Sequence, residues 1–293
     1  MDNSEIVLPS FFFDTADTLY IKKIWKKLNK HISSSSCLGI TTNPNALAKM
    51  NCNTLVDLEK LVKTMSITMD DFCGGGSLIY VQVPNSCMTI KQILSWASFI
   101  KELDTGKCKI ALKIPHFSYI LQETDRSTIF WNTDAFGQSK NLKLNVTGIS
   151  DCNTVIKSLS YNNVSYASII PGRMEEAGID ANSHLKYLCD QNFNKHQAII
   201  TGSMRTIKGL KDSIFYRTVP TIGTRVWDII DVDDLWKDFP TYWDNLYQRS
   251  EVPCADYCPE TTNKNIDLSR AFFEQMDGFG SKLHEDFMKV AIL

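Results

Sequence analysis

The chain has 293 residues, of which 43% are hydrophobic, and its formal net charge at pH 7 is -2. This length suits a single α/β barrel, and the apolar content is enough for a sizeable core. A net charge so close to zero argues against general binding to nucleic acid or to a membrane surface. The nine cysteines are odd in number and scattered, so they do not form the pattern of a disulfide framework.

The sequence also lacks the signals of a membrane or zinc protein. Residues 1–10 have neither a basic start nor a long apolar run, and no later stretch is long enough to cross a bilayer. Cys254 and Cys258 are close, but no second Cys or His pair at metal-ligand spacing accompanies them. We therefore expect a cytoplasmic protein of a reducing compartment, with no metal.

Strand-then-helix units follow one another in the first half of the chain. Short apolar runs recur about every 30–40 residues, and each is followed by a segment with helical periodicity, which indicates parallel βα units. The predicted strands are 11–14, 38–42, 78–83 and 110–115, with helical patterns over 19–28, 55–65 and 90–103.

The second half continues this pattern, with predicted strands at 142–147, 167–171, 198–201 and 216–220. Eight units predict a single (β/α)8 TIM barrel over residues 1–231. We expect residues 232–293 to be an insertion and a C-terminal helical extension, packed on the barrel within the same domain. The final helix is predicted from residue 268, with a break near Gly278 and Gly280. Residues 117–140, long and polar for a loop, are interpreted as a lid or variable insertion.

The fourth predicted strand carries a lysine, Lys113, in an aliphatic run that ends at Pro115. Burial disfavours the charge of a lysine and lowers its pKa, which suits an amine that attacks a carbonyl to form a Schiff base. The alternative is a lysine at a strand end whose amine reaches water. Polar residues near the ends of the other strands favour the catalytic interpretation, because chemistry gathers at that end of a parallel barrel.

Several blocks of the sequence resemble the transaldolase family, including its small-subunit branch and the related fructose-6-phosphate aldolases. The blocks occur in family order, and the segment 272–277 (FFEQMD) is similar to the closing helix of the family. They are 12–17 (FFDTAD), 39–44 (GITTNP), 112–115 (LKIP), 144–147 (LNVT), Ser168 with 172–173 (GR), and 202–205 (GSMR).

The resemblance implies an (α/β)8 barrel in which Lys113 forms an imine with a ketose. Asp14 matches the carboxylate that removes the hydroxyl proton as the carbon–carbon bond breaks, a role suited to general-base work. Its alternative role is an N-cap of the first helix, although Asp17 is the better candidate. Gln82 and Thr147 match the pair that positions a proton-shuttling water.

The resemblance also implies the substrate-binding residues. Asn43, Asn145 and Ser168 match positions that hydrogen-bond the dihydroxyacetone part of the intermediate, and Thr41 lies in the same motif. Turn chemistry is the alternative for these residues. The phosphate site would consist of Arg173, Ser203 and Arg205, and the alternative for the two arginines is a pair of solvated loop side chains.

The sequence departs from the family at the proton-transfer group. Transaldolases usually carry Glu at the position of Gln82, and the aldolase branch supplies a Tyr at the position of Ile170. A water held by Thr147, or a residue such as His116 or Tyr119, could substitute. His116 could also titrate near neutral pH, although a lone histidine is more often a structural hydrogen-bonding residue.

The resemblance implies a transaldolase of pentose-phosphate carbohydrate metabolism. It would transfer a dihydroxyacetone unit from a ketose phosphate to an aldose phosphate, as a homo-oligomer with sugar-phosphate substrates. It would need no cofactor, because Lys113 itself supplies the electron sink. One alternative is an aldolase of the same barrel that releases free dihydroxyacetone. The other is a barrel retained as a binding or assembly module, because the usual acid is missing.

Overall fold

The structure is a computed structural model. The predicted insertion 117–140 and most of segment 232–264 lie outside the residues that it describes, as does Tyr119. The described residues are 11–30, 38–73, 77–116, 142–161, 164–189, 191, 193, 197–231 and 257–291.

Eight parallel strands close into a barrel in chain order, and β1 pairs with β8. This confirms the predicted TIM barrel. The strands are β1 (Phe12–Asp14), β2 (Gly39–Thr41), β3 (Leu78–Gln82), β4 (Lys109–Pro115), β5 (Leu142–Ile149), β6 (Val164–Ile169), β7 (Ala198–Thr201) and β8 (Val219–Gly223).

Helices follow the strands along the chain, and a long C-terminal helix confirms the predicted extension. Asp17 caps the first helix by accepting hydrogen bonds from two backbone N–H groups, as predicted. Within the described part of the chain the helices are α1 (Thr18–Leu28), α2 (Pro44–Lys49), α3 (Leu55–Cys73), α4 (Ile90–Lys101), α5 (Cys152–Leu159), α6 (Pro171–Glu176), α7 (Ala181–Leu188), α8 (Ile207–Phe215), α9 (Thr224–Trp227) and α10 (Asn263–Ala291).

Side chains alternate along each strand between the helices and the barrel interior. On β4, Leu112 and Ile114 belong to the large core cluster, whereas Ala111 belongs to a separate inner cluster. We call the inner cluster the aromatic plug, because three rings dominate it. Its residues are Phe12, Leu78, Tyr80, Ala111, Tyr166, Ala198 and Ile200.

The rings of the aromatic plug pack closely inside the barrel. Phe12 stacks on Tyr80 with ring centroids 4.6 Å apart, and Tyr166 meets Tyr80 edge-on at 5.5 Å. A Cβ on Gly39 of β2 would overlap the ring of Phe12, so only glycine leaves room for it there. The interior of the barrel is therefore filled at this level by side chains.

Two strand boundaries differ from the prediction. The sixth strand was predicted at 167–171 but ends at Ile169, because Pro171 begins α6, where a missing N–H costs nothing. The eighth was predicted at 216–220 but is Val219–Gly223. Tyr216 instead caps the end of α8, and Arg217 then turns the chain with φ 58°.

The predicted break in the C-terminal helix is wrong, because α10 runs without interruption past Gly278 and Gly280. A Cβ on Gly280 would overlap the carbonyl oxygen of Pro84, which lies just after β3. The same Cβ would lie 3.3 Å from the Cβ of Pro44 in α2. Gly280 thus lets α10 approach the barrel closely, and the helix starts at Asn263, before the predicted residue 268.

This close approach predicts different effects for the two helical glycines. Gly280→Ala should lower the free energy of unfolding by about 1–3 kcal/mol, because the added methyl group meets backbone that cannot move freely. Gly278→Ala is the matched control, since nothing lies within 4 Å of its added Cβ. It should be neutral or stabilising by up to about 1 kcal/mol. Thermal unfolding of both variants is the measurement, and equal melting temperatures would contradict the packing argument.

Candidate active site

A ring of polar side chains lies directly above the aromatic plug. On five strands, one inward-facing residue lies at the level of the aromatic plug, and the next inward-facing residue, two positions later, is polar. At the level of the plug, the inward-facing residues are apolar or glycine, except Tyr80 and Tyr166. The pairs are Phe12 then Asp14, Gly39 then Thr41, Tyr80 then Gln82, Ala111 then Lys113, and Tyr166 then Ser168.

Lys113 lies in the second half of β4 and is only 8% exposed. Its Nζ donates a hydrogen bond to Thr41 Oγ1 at 3.4 Å. The alternative of an amine that reaches water is therefore wrong. Burial lowers the pKa of Lys113, and the nearby carboxylate of Asp14 opposes this shift only in part. A larger fraction of neutral, nucleophilic amine is present than in a solvated lysine.

Asp14 ends β1 on the same inner face of the barrel. It accepts a hydrogen bond from Asn43 Nδ2 at 3.3 Å. Burial raises the pKa of Asp14, and the positive charges of Lys113 and then Arg205 act against that rise. Since Asp17 caps α1, the carboxylate of Asp14 is not used as a helix cap.

Asn43 has the turn role that the sequence analysis gave as its alternative, and it also contacts Asp14. Its Oδ1 accepts a hydrogen bond from the backbone N–H of Ala46 at 2.8 Å and so caps α2. Its Nδ2 donates to Asp14. The cap fixes the side chain, and the fixed side chain orients the carboxylate.

Gln82 and Asn145 flank Lys113 in the register of the sheet, on β3 and β5 respectively. Ser168 Oγ donates to Asn145 Oδ1 at 2.8 Å. The Nδ2 of Asn145 and the Oε1 of Gln82 are buried and have no hydrogen-bond partner among the described residues. Buried polar atoms of this kind are usually satisfied by water or ligand. An unpaired donor thus lies on one side of the amine of Lys113, and an unpaired acceptor lies on the other side.

Thr147 and His116 lie at the upper end of the same strands. Thr147 is 2% exposed, and its carbonyl accepts the backbone N–H of His116 at 3.1 Å. The ring of His116 lies 5.6 Å from that of Phe273 in α10. Burial lowers the pKa of His116 to about 4, so the ring is neutral at pH 7. This favours the structural role over that of a group titrating near neutral pH.

The two arginines come together because the start of α6, which carries Arg173, touches the loop after β7, which carries Arg205. A Cβ on Gly172 would overlap the carbonyl oxygen of Ser203, so glycine is needed for this approach. Ser203 itself has φ 57°, in the left-handed region. The same hypothetical Cβ would lie 3.2 Å from Cγ of Arg205. The contact therefore places Arg173 and Arg205 side by side at the mouth of the barrel.

Each arginine is already held by neighbours. Arg173 donates to Gln275 Oε1 at 2.9 Å, and its guanidinium lies 4.9 Å from the ring centre of Phe272. Arg205 forms an ion pair with Glu176 at 2.8 Å. Burial lowers the pKa of Arg173, followed in size by repulsion from Arg205. The alternative of two independent solvated side chains does not describe this pair.

Helix α10 adds residues for which sequence reasoning had assigned no role in the site. Phe272, Phe273 and Met276 pack with Ile170 in a small apolar cluster beside Arg173. A Cβ on Gly148 would overlap the ring of Phe273, and Ser269 Oγ donates to the carbonyl of Gly148 at 2.9 Å. The only sequence signal for these residues was the similarity of segment 272–277 to a closing helix.

The described ranges contain no group of three or more His, Cys, Asp or Glu side chains placed to hold a metal ion. In the same part of the chain, no helix combines the length and apolarity needed to span a membrane.

Comparison with known proteins identifies no family. No family model matches the chain, and no curated protein matches it. Among solved structures, one similar chain is N-acetylneuraminate lyase from Mycoplasma synoviae, with 11% identity, a TM-score of 0.44, and coverage of 90% of this chain and 96% of that one. Another is an HpcH/Hpal aldolase/citrate lyase family protein from Burkholderia cenocepacia, with 12% identity, a TM-score of 0.40, and coverage of 81% and 93%.

The transaldolase interpretation is corrected by these findings. The structural neighbours belong to other TIM-barrel families, and both carry names of lyases or aldolases rather than of transferases. Membership in the transaldolase family and the transferase activity that it implied are therefore wrong. The likeness to the neighbours concerns the fold alone.

The buried histidine predicts a measurable effect of acid on stability. The pKa of His116 is about 4 in the folded chain, against 6.5 for the ordinary side chain. Between these values the unfolded chain binds a proton that the folded chain does not, so stability falls as the pH falls through this window. The loss due to His116 should reach about 3 kcal/mol at pH 4.

The measurement is urea unfolding of the wild type and of His116→Gln between pH 7 and pH 4. The variant cannot titrate at this position, so its unfolding free energy should fall less steeply with acid. Parallel curves for the two proteins would show that His116 binds its proton equally well in the folded and unfolded chain, and would contradict the lowered pKa.

Proposed function

We propose that the protein is an aldolase-type lyase that breaks and forms carbon–carbon bonds through a Schiff base on Lys113. The observation that carries this proposal is the pairing of a buried amine with a carboxylate inside a closed barrel. Burial lowers the pKa of Lys113 and raises that of Asp14. Both shifts bring the pair closer to the range in which one group attacks and the other exchanges a proton.

In the proposed reaction, the neutral amine of Lys113 adds to the ketone carbon of the substrate, and water leaves to give a protonated imine. Asp14 then takes the proton from a hydroxyl group on the carbon that is β to the imine carbon. The electron pair of that O–H bond forms a carbonyl, the adjacent carbon–carbon bond breaks, and its electron pair moves to the imine nitrogen as an enamine. Protonation of the enamine carbon and hydrolysis of the imine release the second fragment.

The polar ring supports a substrate that carries hydroxyl groups. Thr41, Asn145 and Ser168 offer neutral hydrogen-bonding groups close to Lys113. The unpaired Nδ2 of Asn145 and Oε1 of Gln82 are one donor and one acceptor for such groups. Neutral hydrogen-bonding side chains of this kind suit the hydroxyl groups of a polyol better than they suit a second charged group on the substrate.

The arginine pair supports a phosphate group on the substrate. Arg173 and Arg205 lie side by side, and Ser203 lies in the same loop as Arg205. Guanidinium groups form bidentate, charge-assisted bonds with phosphate oxygens. We therefore propose a hydroxylated ketone phosphate as the substrate class. We also propose that Thr147 holds a water molecule near the imine.

The proposal also includes the domain organisation, the cellular compartment and the oligomeric state. We propose that residues 1–231 and 232–293 form one domain, because α10 packs on α2, β5 and α6. The described cysteines are in the reduced form, which fits a reducing compartment such as the cytoplasm. A homo-oligomer remains a prediction, and light scattering is its direct measurement.

Borohydride trapping tests the Schiff base. Incubation with dihydroxyacetone phosphate and borohydride should give a reduced adduct on the peptide that contains Lys113, read by mass spectrometry. Lys113→Met should give none, because no amine remains to form the imine. Lys109→Arg is the matched control on the same strand and should keep the adduct.

The same experiment tests the phosphate proposal. Unphosphorylated dihydroxyacetone and pyruvate should label Lys113 more weakly than dihydroxyacetone phosphate in the wild type. The double variant with Arg173→Gln and Arg205→Gln should lose this preference. Absence of an adduct on Lys113 with all three ketones, in a folded sample, would refute the proposed function.

Asp14→Asn separates imine formation from bond cleavage. The adduct on Lys113 should still form, because the amine is intact. The rate of aldol addition of dihydroxyacetone phosphate to glycolaldehyde should fall by about 10²–10⁴, because the amide cannot exchange the hydroxyl proton. Asp17→Asn is the control, since Asn also caps helices well. A variant at Asp14 that retained the wild-type rate would assign the proton transfer to another group.

A further inference from the structure

Two thiols meet beside the mouth of the barrel, and the proposed function does not use them. Cys152 is the first residue of α5, just after β5, and Cys258 precedes α10 by five residues. Their sulfur atoms are 3.1 Å apart. Cys152 is fully buried, whereas Cys258 is partly exposed. One sulfur is thus reachable from solvent, and the other lies directly behind it.

A histidine is placed to accept the proton of the buried thiol. The backbone N–H of Cys152 donates to Nδ1 of His184 at 3.2 Å, so this nitrogen carries a lone pair rather than a proton. The same Nδ1 lies 3.3 Å from Sγ of Cys152. Burial lowers the pKa of His184, which keeps the ring neutral at pH 7. Burial also raises the pKa of Cys152, so this thiol needs such an acceptor to react.

We propose that Cys152 and Cys258 form a reversible disulfide, with Cys258 as the thiol that a small oxidant meets first. The oxidant class is a low-molecular-weight disulfide, represented by glutathione disulfide. The thiolate of Cys258 attacks one sulfur of the oxidant, a mixed disulfide forms, and one glutathione thiolate leaves. Nδ1 of His184 has one lone pair, so it gives up its bond from the backbone N–H of Cys152 when it takes the thiol proton. The thiolate of Cys152 then attacks Sγ of Cys258 and releases the second glutathione. The two protein thiols are oxidised, and the oxidant is reduced to two thiols.

The geometry requires little movement for the second step. The two sulfur atoms must approach by about 1 Å to reach the disulfide bond length of about 2.05 Å. The thiol of Cys258 donates to Asn153 Oδ1 at 2.8 Å, which holds this sulfur beside α5. An intramolecular attack between positioned groups is favoured over reaction with a second oxidant molecule.

The disulfide would join the segment that leads into α10 to the start of α5, just after the strand that carries Asn145 and Thr147. This junction is already made by side chains: Thr261 Oγ1 donates to Asp151 at 3.0 Å, and Ser150 Oγ donates to the carbonyl of Asn265 at 2.7 Å. A covalent bond there would fasten the start of α10, the helix that packs beside the arginines. Oxidation would therefore stabilise the attachment of this helix to the barrel.

The test is oxidation of the full chain with glutathione disulfide, followed by peptide mapping without reductant. The expected product is a peptide pair linked through Cys152 and Cys258, which dithiothreitol reverses. The melting temperature of the oxidised protein should rise by about 5–10 °C, because the bond restricts the unfolded chain over a long loop. The exposed Cys87 is an internal control, since its glutathione adduct shows that the oxidant reacted.

Variants make the outcome decisive. Cys258→Ser and Cys152→Ser should each abolish the linked pair and the rise in melting temperature, whereas Cys254→Ser should keep both. A glutathione adduct on Cys87 without any linked pair would overturn the proposal. So would a stable mixed disulfide on Cys258, or a link from Cys152 to Cys254. A linked pair without a rise in melting temperature would overturn the stabilising effect proposed for the bond.

Discussion

The structure depends on one costly feature, an amine buried inside a closed barrel. Lys113 is 8% exposed, lies two residues beyond the aromatic plug, and faces a carboxylate across the barrel. A buried charge without a partner would destabilise the fold strongly, and a buried pair is tolerated only when its polar atoms are well placed. Asn43 and Thr41 meet this need by contacting Asp14 and Lys113 respectively. The inner face at this level is organised to keep these two groups together.

The alternation of side chains along each strand explains why much of the candidate site could be predicted from sequence. Apolar runs marked the strands, and polar residues near their ends marked the face where side chains converge. Lys113 points inward because Leu112 and Ile114 point outward to the helices. The direction of side chains that alternate along a strand could therefore be predicted.

Residues fixed by contacts between distant parts of the chain were not predictable. Gly280 resembled a helix break, but its role is a close approach to Pro84, nearly 200 residues earlier in the sequence. Arg217 turns the chain with φ 58°, a conformation that its residue type does not indicate. The contacts of Arg173 with Gln275 and Phe272 likewise join segments about 100 residues apart. Hydrophobic periodicity carries no information about such contacts.

The family resemblance failed for a related physical reason. Its blocks were short, and most of them lie at the carboxyl ends of strands, where any barrel that performs chemistry places polar residues. A lysine inside a strand can be explained by the burial that an imine-forming amine requires, without common descent. Fold and local chemistry can thus agree with a family to which the chain does not belong.

The aromatic plug has a consequence for the order of events in the proposed reaction. Among the described residues, Phe12, Tyr80 and Tyr166 fill the barrel beneath Lys113, so the site is closed on that side. After bond cleavage, one fragment is still attached to the lysine, while the other is free. The free fragment leaves first, because the other must wait for hydrolysis of the imine. Since the aromatic plug blocks the side beneath Lys113, both fragments leave on the opposite side.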